Sequence, residues 1–111
     1  GLPDHPHHAL AARQMKGFGG MLTFQLREGL SAALKMAERV KVFSYATSLG
    51  HPHSLIFYYP TDLYIDQAAY LSEAQKKAIR EQWMGEGIVR VSAGLENEAD
   101  LLADLDSALK D

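Results

Sequence analysis

The stretch "IVRVSAGLE", Ile88 to Glu96, constrains the fold more than any other part of the chain. Ile, Val and Val are the residues that build a half-buried pleated strand, and an arginine is almost never enclosed in a core without a partner for its charge. Side chains two apart share a strand face, so Val89 and Val91 point one way while Ile88, Arg90 and Ser92 point the other. The chain must therefore build a sheet with one apolar face covered and a second face that carries a cation and a hydroxyl side by side. Either that second face is solvated, or something anionic comes to Arg90.

The other elements are read in the same way. Leu22, Phe24 and Leu26 alternate with Thr23 and Gln25, which predicts a strand over Gly20–Leu26 with one buried face. Leu30, Ala33, Leu34, Ala37 and Val40 recur at helical spacing, so Leu30–Arg39 is expected to be a helix packed on that sheet. Two more strands are expected over Val40–Tyr45 and Ser54–Tyr59, joined by "ATSLGHPH", in which Gly50 and Pro52 mark a loop. The segment from Pro60 to Tyr70 has no clean period. Ser72 followed by Gln75 is a capping-box pattern that starts a helix running to about Met84, where Gly85 and Gly87 stop it. Asn97 can cap a last helix with an apolar stripe of Leu101, Leu102, Leu105, Ala108 and Leu109, and Ala9–Met15 reads as a short helix before the glycines of "KGFGG". The order is that of an α/β chain of the α+β kind, a split βαβ small domain with a mostly antiparallel four-stranded sheet and helices on one face. One helical layer leaves the other sheet face bare, and Arg90 looks toward whatever covers it.

Composition narrows the functions. A chain of 111 residues with 47% hydrophobic content fits one domain. Eleven Lys and Arg stand against 14 acidic residues, with no basic block to neutralise a run of phosphates, so a nucleic-acid partner is not expected. The lack of cysteine excludes disulfides and thiolate metal sites and fits a cytoplasmic setting. No apolar stretch has membrane-spanning length, and "GLPDHPHH" lacks the basic and apolar regions of a signal peptide. That opening segment, without a starting Met, reads as a connecting loop inside something larger. His5, His7, His8, His51 and His53 raise the question of a metal, but Pro between histidines splays the rings, and they read as solvated loop residues. Ser44, Ser48 and Ser54 near His51 and His53 carry no nucleophile signature, and "GFGG" precedes a strand where a phosphate loop would open a helix. Lys16 reads as an exposed, solvated amine. Tyr58, Tyr59, Tyr64, Tyr70 and Trp83 read as core and edge positions more than as a stacking surface.

Three stretches, "KGFGGMLTFQL" at 16–26, "SLGHPHSLIFYYP" at 48–60 and "GIVRVSAGLENEADLLADL" at 87–105, resemble in order and spacing the C-terminal domain of the Cys/Met metabolism pyridoxal-phosphate (PLP) enzymes. With "GLPDHPHHALAARQMKGFGG", which is similar to the segment leading into that small domain, the resemblance covers nearly the whole chain. It implies that residues 1–19 are a leading helix and linker and that 20–111 hold the sheet and helices. It also implies that the arginine at the position of Arg90 binds the α-carboxylate of an amino-acid substrate. Ser48 then lies beside that carboxylate, and its neighbours Thr47 and Leu49 are further substrate-binding positions. The cofactor-carrying lysine, the acidic partner of the pyridine nitrogen and the phosphate-binding residues belong to a large N-terminal domain that no segment here resembles. By this resemblance no residue of this chain is catalytic or binds cofactor, the fragment alone is inactive, and the full-length enzyme is a homotetramer that binds PLP mainly through the large domain.

The departures bear on substrate. Many members that handle cystathionine carry Glu just before the serine, suited to a distant ammonium, whereas this chain has Thr47. That favours a methionine γ-lyase or sulfhydrylase type over a cystathionine γ-synthase or γ-lyase type. "HPH" and "TDLYIDQAAY" also differ from the family's usual residues at those places. The alternative reading is a stand-alone ferredoxin-like module that binds a ligand or dimerises through its open sheet. It has no reason to bring Arg90 and Ser48 together.

Overall fold

The computed structural model describes residues 1–110, and its elements follow the chain as α1 (His8–Gln14), β1 (Met21–Phe24), α2 (Gly29–Arg39), β2 (Ser44–Tyr45) and β3 (Leu55–Pro60), then α3 (Thr61–Asp66), α4 (Glu73–Ile79), β4 (Gly87–Ser92) and α5 (Glu98–Leu109). A single sheet has the order β1-β4-β3-β2. β4 is antiparallel to β1 and to β3, while β2 runs parallel to β3. β1 and β2 therefore run the same way at opposite edges, joined by α2, with β4 and β3 inserted between them. This is the expected split βαβ arrangement, antiparallel in two of its three pairings.

The core lies between the sheet and α2 with α5. Val89 and Val91 on β4 and Ile56 and Tyr58 on β3 meet Ala33 and Met36 of α2 and Ala108 of α5, and all seven are buried. Register fixes the opposite face: Arg90 lies between Thr23 of β1 and Phe57 of β3, and Ile88 lies beside Tyr59. Arg90 is thus carried outward by the same alternation that buries the valines, as the sequence pattern requires. Ser92 shares that face but is buried.

Several elements differ from expectation. The strand expected over Val40–Tyr45 pairs only at Ser44–Tyr45. Its preceding amides are taken elsewhere, since the Asp104 carboxylate accepts from the backbone N–H of Lys41, Val42 and Phe43 at 2.8–3.1 Å. β1 is shorter than Gly20–Leu26. The periodless stretch after Pro60 folds into α3, with Thr61 and Ile65 buried at the end of the sheet. The helix opening at Ser72 has the full capping box with Gln75, but beyond Ile79 it widens into a π-helical turn over Arg80–Met84. Asn97 caps α5 by accepting from the N–H of Ala99 at 2.8 Å. Among the described residues no helix is long and apolar enough to cross a membrane.

Candidate functional site

Arg90 is half-buried on the sheet face that α2 and α5 leave uncovered. Its Nη2 donates to the carbonyl oxygen of Thr47 and lies 3.5 Å from that of Ser48. The guanidinium carbon stands 4.8 Å from the centre of the Tyr59 ring, a cation–π distance. The Tyr59 hydroxyl also donates to the Thr47 carbonyl at 3.1 Å, so ring, carbonyl and guanidinium form one closed unit. Nη1 and Nε make no hydrogen bond among the described residues. One corner of the planar fork is anchored by backbone, and the N–H groups of Nη1 and Nε are left over. A planar, oriented set of N–H donors suits a carboxylate in a way a lysine ammonium cannot copy.

The segment that supplies the two carbonyls, residues 46–53, links the parallel strands β2 and β3 and is tied down at three places. Gly50, in a left-handed turn with φ 67°, donates its N–H to the Ser92 hydroxyl at 3.1 Å. Leu95 donates to the Pro52 carbonyl at 2.8 Å. At the end of the loop the fully buried Ser54 meets Glu96. One carboxylate oxygen accepts from the Ser54 N–H at 2.7 Å, and the other accepts from its hydroxyl at 2.6 Å. The Ser54 hydroxyl in turn accepts from the Gly94 N–H at 2.7 Å. Gly94 must be glycine here, because a Cβ would collide with the Pro52 carbonyl oxygen. The hydrogen bonds from the Ser54 side chain and then its backbone hold Glu96 down to about 2, against the opposing effect of burial and with help from His53 at 3.3 Å.

The structure brings three of the four sequence-predicted residues into one unit. Arg90 meets Thr47 and Ser48, though through their carbonyls, while the Ser48 side chain is exposed. Leu49 is 57% exposed and makes none of the side-chain hydrogen bonds of the site. The aromatic residues need correction: of the tyrosines and tryptophan singled out from the sequence only Tyr58 is a core ring, and Tyr59 and Tyr64 belong to a stacking row with Tyr45 and Phe57, with successive centroids 4.8–5.8 Å apart. Sequence offered one usable signal, because Phe57 and Tyr59 alternate with Tyr58 and so had to share the face opposite the core. Next to Arg90 the row walls an open groove of about 490 Å³ lined by Thr47, Phe57, Tyr59, Leu63, Tyr64 and Tyr70.

One requirement for holding PLP is an amine beside the site. β3, β4 and the 46–53 loop contain no lysine, and Lys35, Lys76, Lys77 and Lys110 pair with Glu28, Glu73, Glu81 and Asp106. The strands and loop around Arg90 therefore offer no amine to a cofactor aldehyde, whereas the N–H donors of Arg90 are of the kind that takes the carboxylate of an amino acid.

The family described as Cys/Met metabolism PLP-dependent enzyme matches residues 1–110. The chain is 41% identical over 109 residues to a cystathionine gamma-synthase of Mycobacterium leprae, covering 98% of this chain and 26% of that protein. It is likewise 41% identical over 110 residues to an L-methionine gamma-lyase of Pseudomonas deceptionensis, covering 99% of this chain and 26% of that protein. A crystal structure of cystathionine gamma synthase from Xanthomonas oryzae pv. oryzae in complex with aminoacrylate and cysteine superposes with a TM-score of 0.75 at 38% identity, over 98% of this chain and 26% of that one. The chain thus spans about a quarter of the length of the relatives it matches.

Proposed function

The chain belongs to the Cys/Met metabolism PLP-dependent enzyme family, and on that premise we propose that it is the C-terminal substrate-binding domain of an enzyme performing γ-elimination or γ-replacement on sulfur amino acids or activated homoserine. The observation that carries this reading is the pair of N–H-bearing atoms of Arg90, Nη1 and Nε, that have no partner among the described residues, on a guanidinium fixed in direction by the Thr47 carbonyl and the Tyr59 ring on an uncovered sheet face. PLP, held by the large domain, supplies the electron sink for proton loss at Cα. The part of this chain is to bind and orient. Arg90 takes the α-carboxylate and, with Ser48 beside it, fixes the direction in which the Cα–H bond points. A strand-borne arginine locked by its neighbours does this better than a mobile one.

Thr47 and the groove beside it support the methionine γ-lyase or sulfhydrylase type. Apart from Thr47 and Gln67 the walls are apolar or aromatic, and they carry no carboxylate, which suits a thioether or a short acyl-homoserine chain and leaves an ammonium without a counter-charge. The equal identity to a synthase and to a lyase does not decide between elimination and replacement. For the whole protein the reading includes a cytoplasmic homotetramer, supported by the family resemblance. Nothing in the geometry favours the stand-alone module, which would have no use for an oriented guanidinium edge.

In the full-length enzyme, Arg90→Lys is expected to raise KM for amino-acid substrates by about 10- to 100-fold, since a point charge replaces a two-pronged donor. The absorbance of bound cofactor should be kept. Kinetics equal to wild type would overturn the carboxylate assignment.

A further inference from the structure

Arg90 does not hold its own position. Its direction is set by the carbonyl of Thr47, and the place of that carbonyl depends on a loop whose own ties run to β4 and the turn after it. Of those ties only one uses a charged group: the Glu96 carboxylate closes on both the amide and the hydroxyl of Ser54 at 2.7 and 2.6 Å. The Ser54 hydroxyl has one proton and two lone pairs. It gives the proton to Glu96 and accepts from Gly94, so its donor capacity is fully used by the carboxylate. Glu96 does not touch Arg90; it reaches the 46–53 loop through Ser54 and through His53 at 3.3 Å, and the loop reaches Arg90 through Thr47.

We propose that Glu96 is a positioning residue for the substrate carboxylate: through Ser54 it fixes the 46–53 loop, and so the angle at which the guanidinium of Arg90 meets the α-carboxylate. This rests on the function proposed above and adds a residue and a route to it. If the clamp loosens, Thr47 recedes from Nη2 and the guanidinium turns within its plane or toward Tyr59. The positive charge stays in the site, but the two N–H donors no longer present together. The loss therefore falls on discrimination between a carboxylate and a neutral group of the same shape, more than on the site's ability to bind an amino-acid side chain.

The experiment uses the full-length enzyme with its cofactor. Competition against the amino-acid substrate is measured for L-norleucine, which has no γ-leaving group, and for L-norleucinamide, in which the carboxylate is a neutral amide. The ratio of their inhibition constants reads the carboxylate contact directly. Glu96→Gln is expected to lower the preference for the acid by about tenfold, because misplacement of a binding group by a fraction of an ångström suffices for that. Ser54→Ala, which breaks the same link from the other side, is expected to do likewise. Asp104→Asn is the control, since it weakens a different carboxylate clamp on the helical face and should leave the ratio unchanged. Arg90→Lys calibrates the scale. A reduced ratio in Arg90→Lys with a wild-type ratio in Glu96→Gln and Ser54→Ala would overturn the positioning role while leaving the proposed function standing. An unchanged ratio in Arg90→Lys would overturn the proposed function and this inference with it. A loss in Asp104→Asn equal to that in Glu96→Gln would reduce the effect to general loosening and also overturn it. Should Glu96→Gln not accumulate as folded protein, Glu96→Asp, which keeps the charge but retracts it by one methylene, decides the question by the same ratio.

Discussion

The Glu96 carboxylate is made acidic by what donates to it, and that has a measurable consequence for stability. Its ordinary value of 4.5 falls to about 2 in the folded chain, chiefly through the Ser54 hydroxyl. Between those two values the unfolded state takes up a proton that the folded state refuses, so stability declines as pH falls through this window and is fully present above it. Glu96→Gln removes the titrating group. Urea titrations at several pH values between 2 and 6 are expected to show a shallower acid decline for the variant than for wild type, and equal slopes would mean that the Ser54 contact does not depend on charge. Tyr59 is the second residue whose role is separable. Tyr59→Phe keeps the ring under the guanidinium and deletes only the hydroxyl that shares the Thr47 carbonyl, a change worth about 0.5–1.5 kcal/mol. Tyr59→Leu removes the platform as well, so KM for the amino acid should rise in the order wild type, Phe, Leu. That Arg90 faces away from the core could be read from the two valines around it. That Tyr59 lies under it could not, because alternation assigns a face and says nothing of which strand is the neighbour.

At the level of elements, the joint between α5 and the turn before β2 shows why local patterns went wrong where they did. Val40–Tyr45 has the β-branched and aromatic residues of a strand, and helical α5 carries one acidic residue, Asp104, on its otherwise apolar inner side. These oddities explain each other. Burial raises the carboxyl, but the N–H groups of Phe43, Lys41 and Val42 outweigh that and hold it below its ordinary value. An element that spends its amides on a helix carboxylate cannot spend them on a sheet ladder. Asp104→Ala leaves three donors facing the place of a 7% exposed carboxylate and is expected to cost about 2–4 kcal/mol. Asp104→Asn, which keeps one acceptor, should cost less, and thermal unfolding of the two variants checks the order. The ends with local chemistry, the Ser72 capping box and the Asn97 cap, were legible because donor and acceptor lie within three residues. α3 was not, because its stability comes from docking Thr61 and Ile65 against the sheet end and not from any apolar period of its own.

At the scale of the whole molecule, the chain is looser than a self-contained domain. Its radius of gyration is 15.4 Å, where roughly 13 Å is expected for a compact domain of this length. The cause is visible in the helices: neither α1 nor α4 buries a single residue, so both extend the particle without adding to its core. The sheet face opposite α2 and α5 adds to this, with Met21, Tyr45 and Tyr64 each more than 40% exposed around the half-buried row that holds Arg90. Sequence order predicted that one face would be bare, since a single helical layer covers only one. It did not predict the strand order or the parallel β2–β3 pair, because pairing is set by contacts far apart in the chain. Exposed apolar area of this kind is covered by a partner or by another copy. The isolated chain is therefore expected to self-associate, and sedimentation velocity should show the weight-average mass rising with concentration over the micromolar to millimolar range. Tyr64→Lys together with Leu63→Lys places like charges in the groove beside Arg90 and should shift that rise to higher concentration, while the same two changes on full-length protein should impair assembly or substrate binding. A clean monomer throughout the range would mean that the bare face is adequately solvated, and the case that it is a seam with the rest of a larger enzyme would lose its physical support.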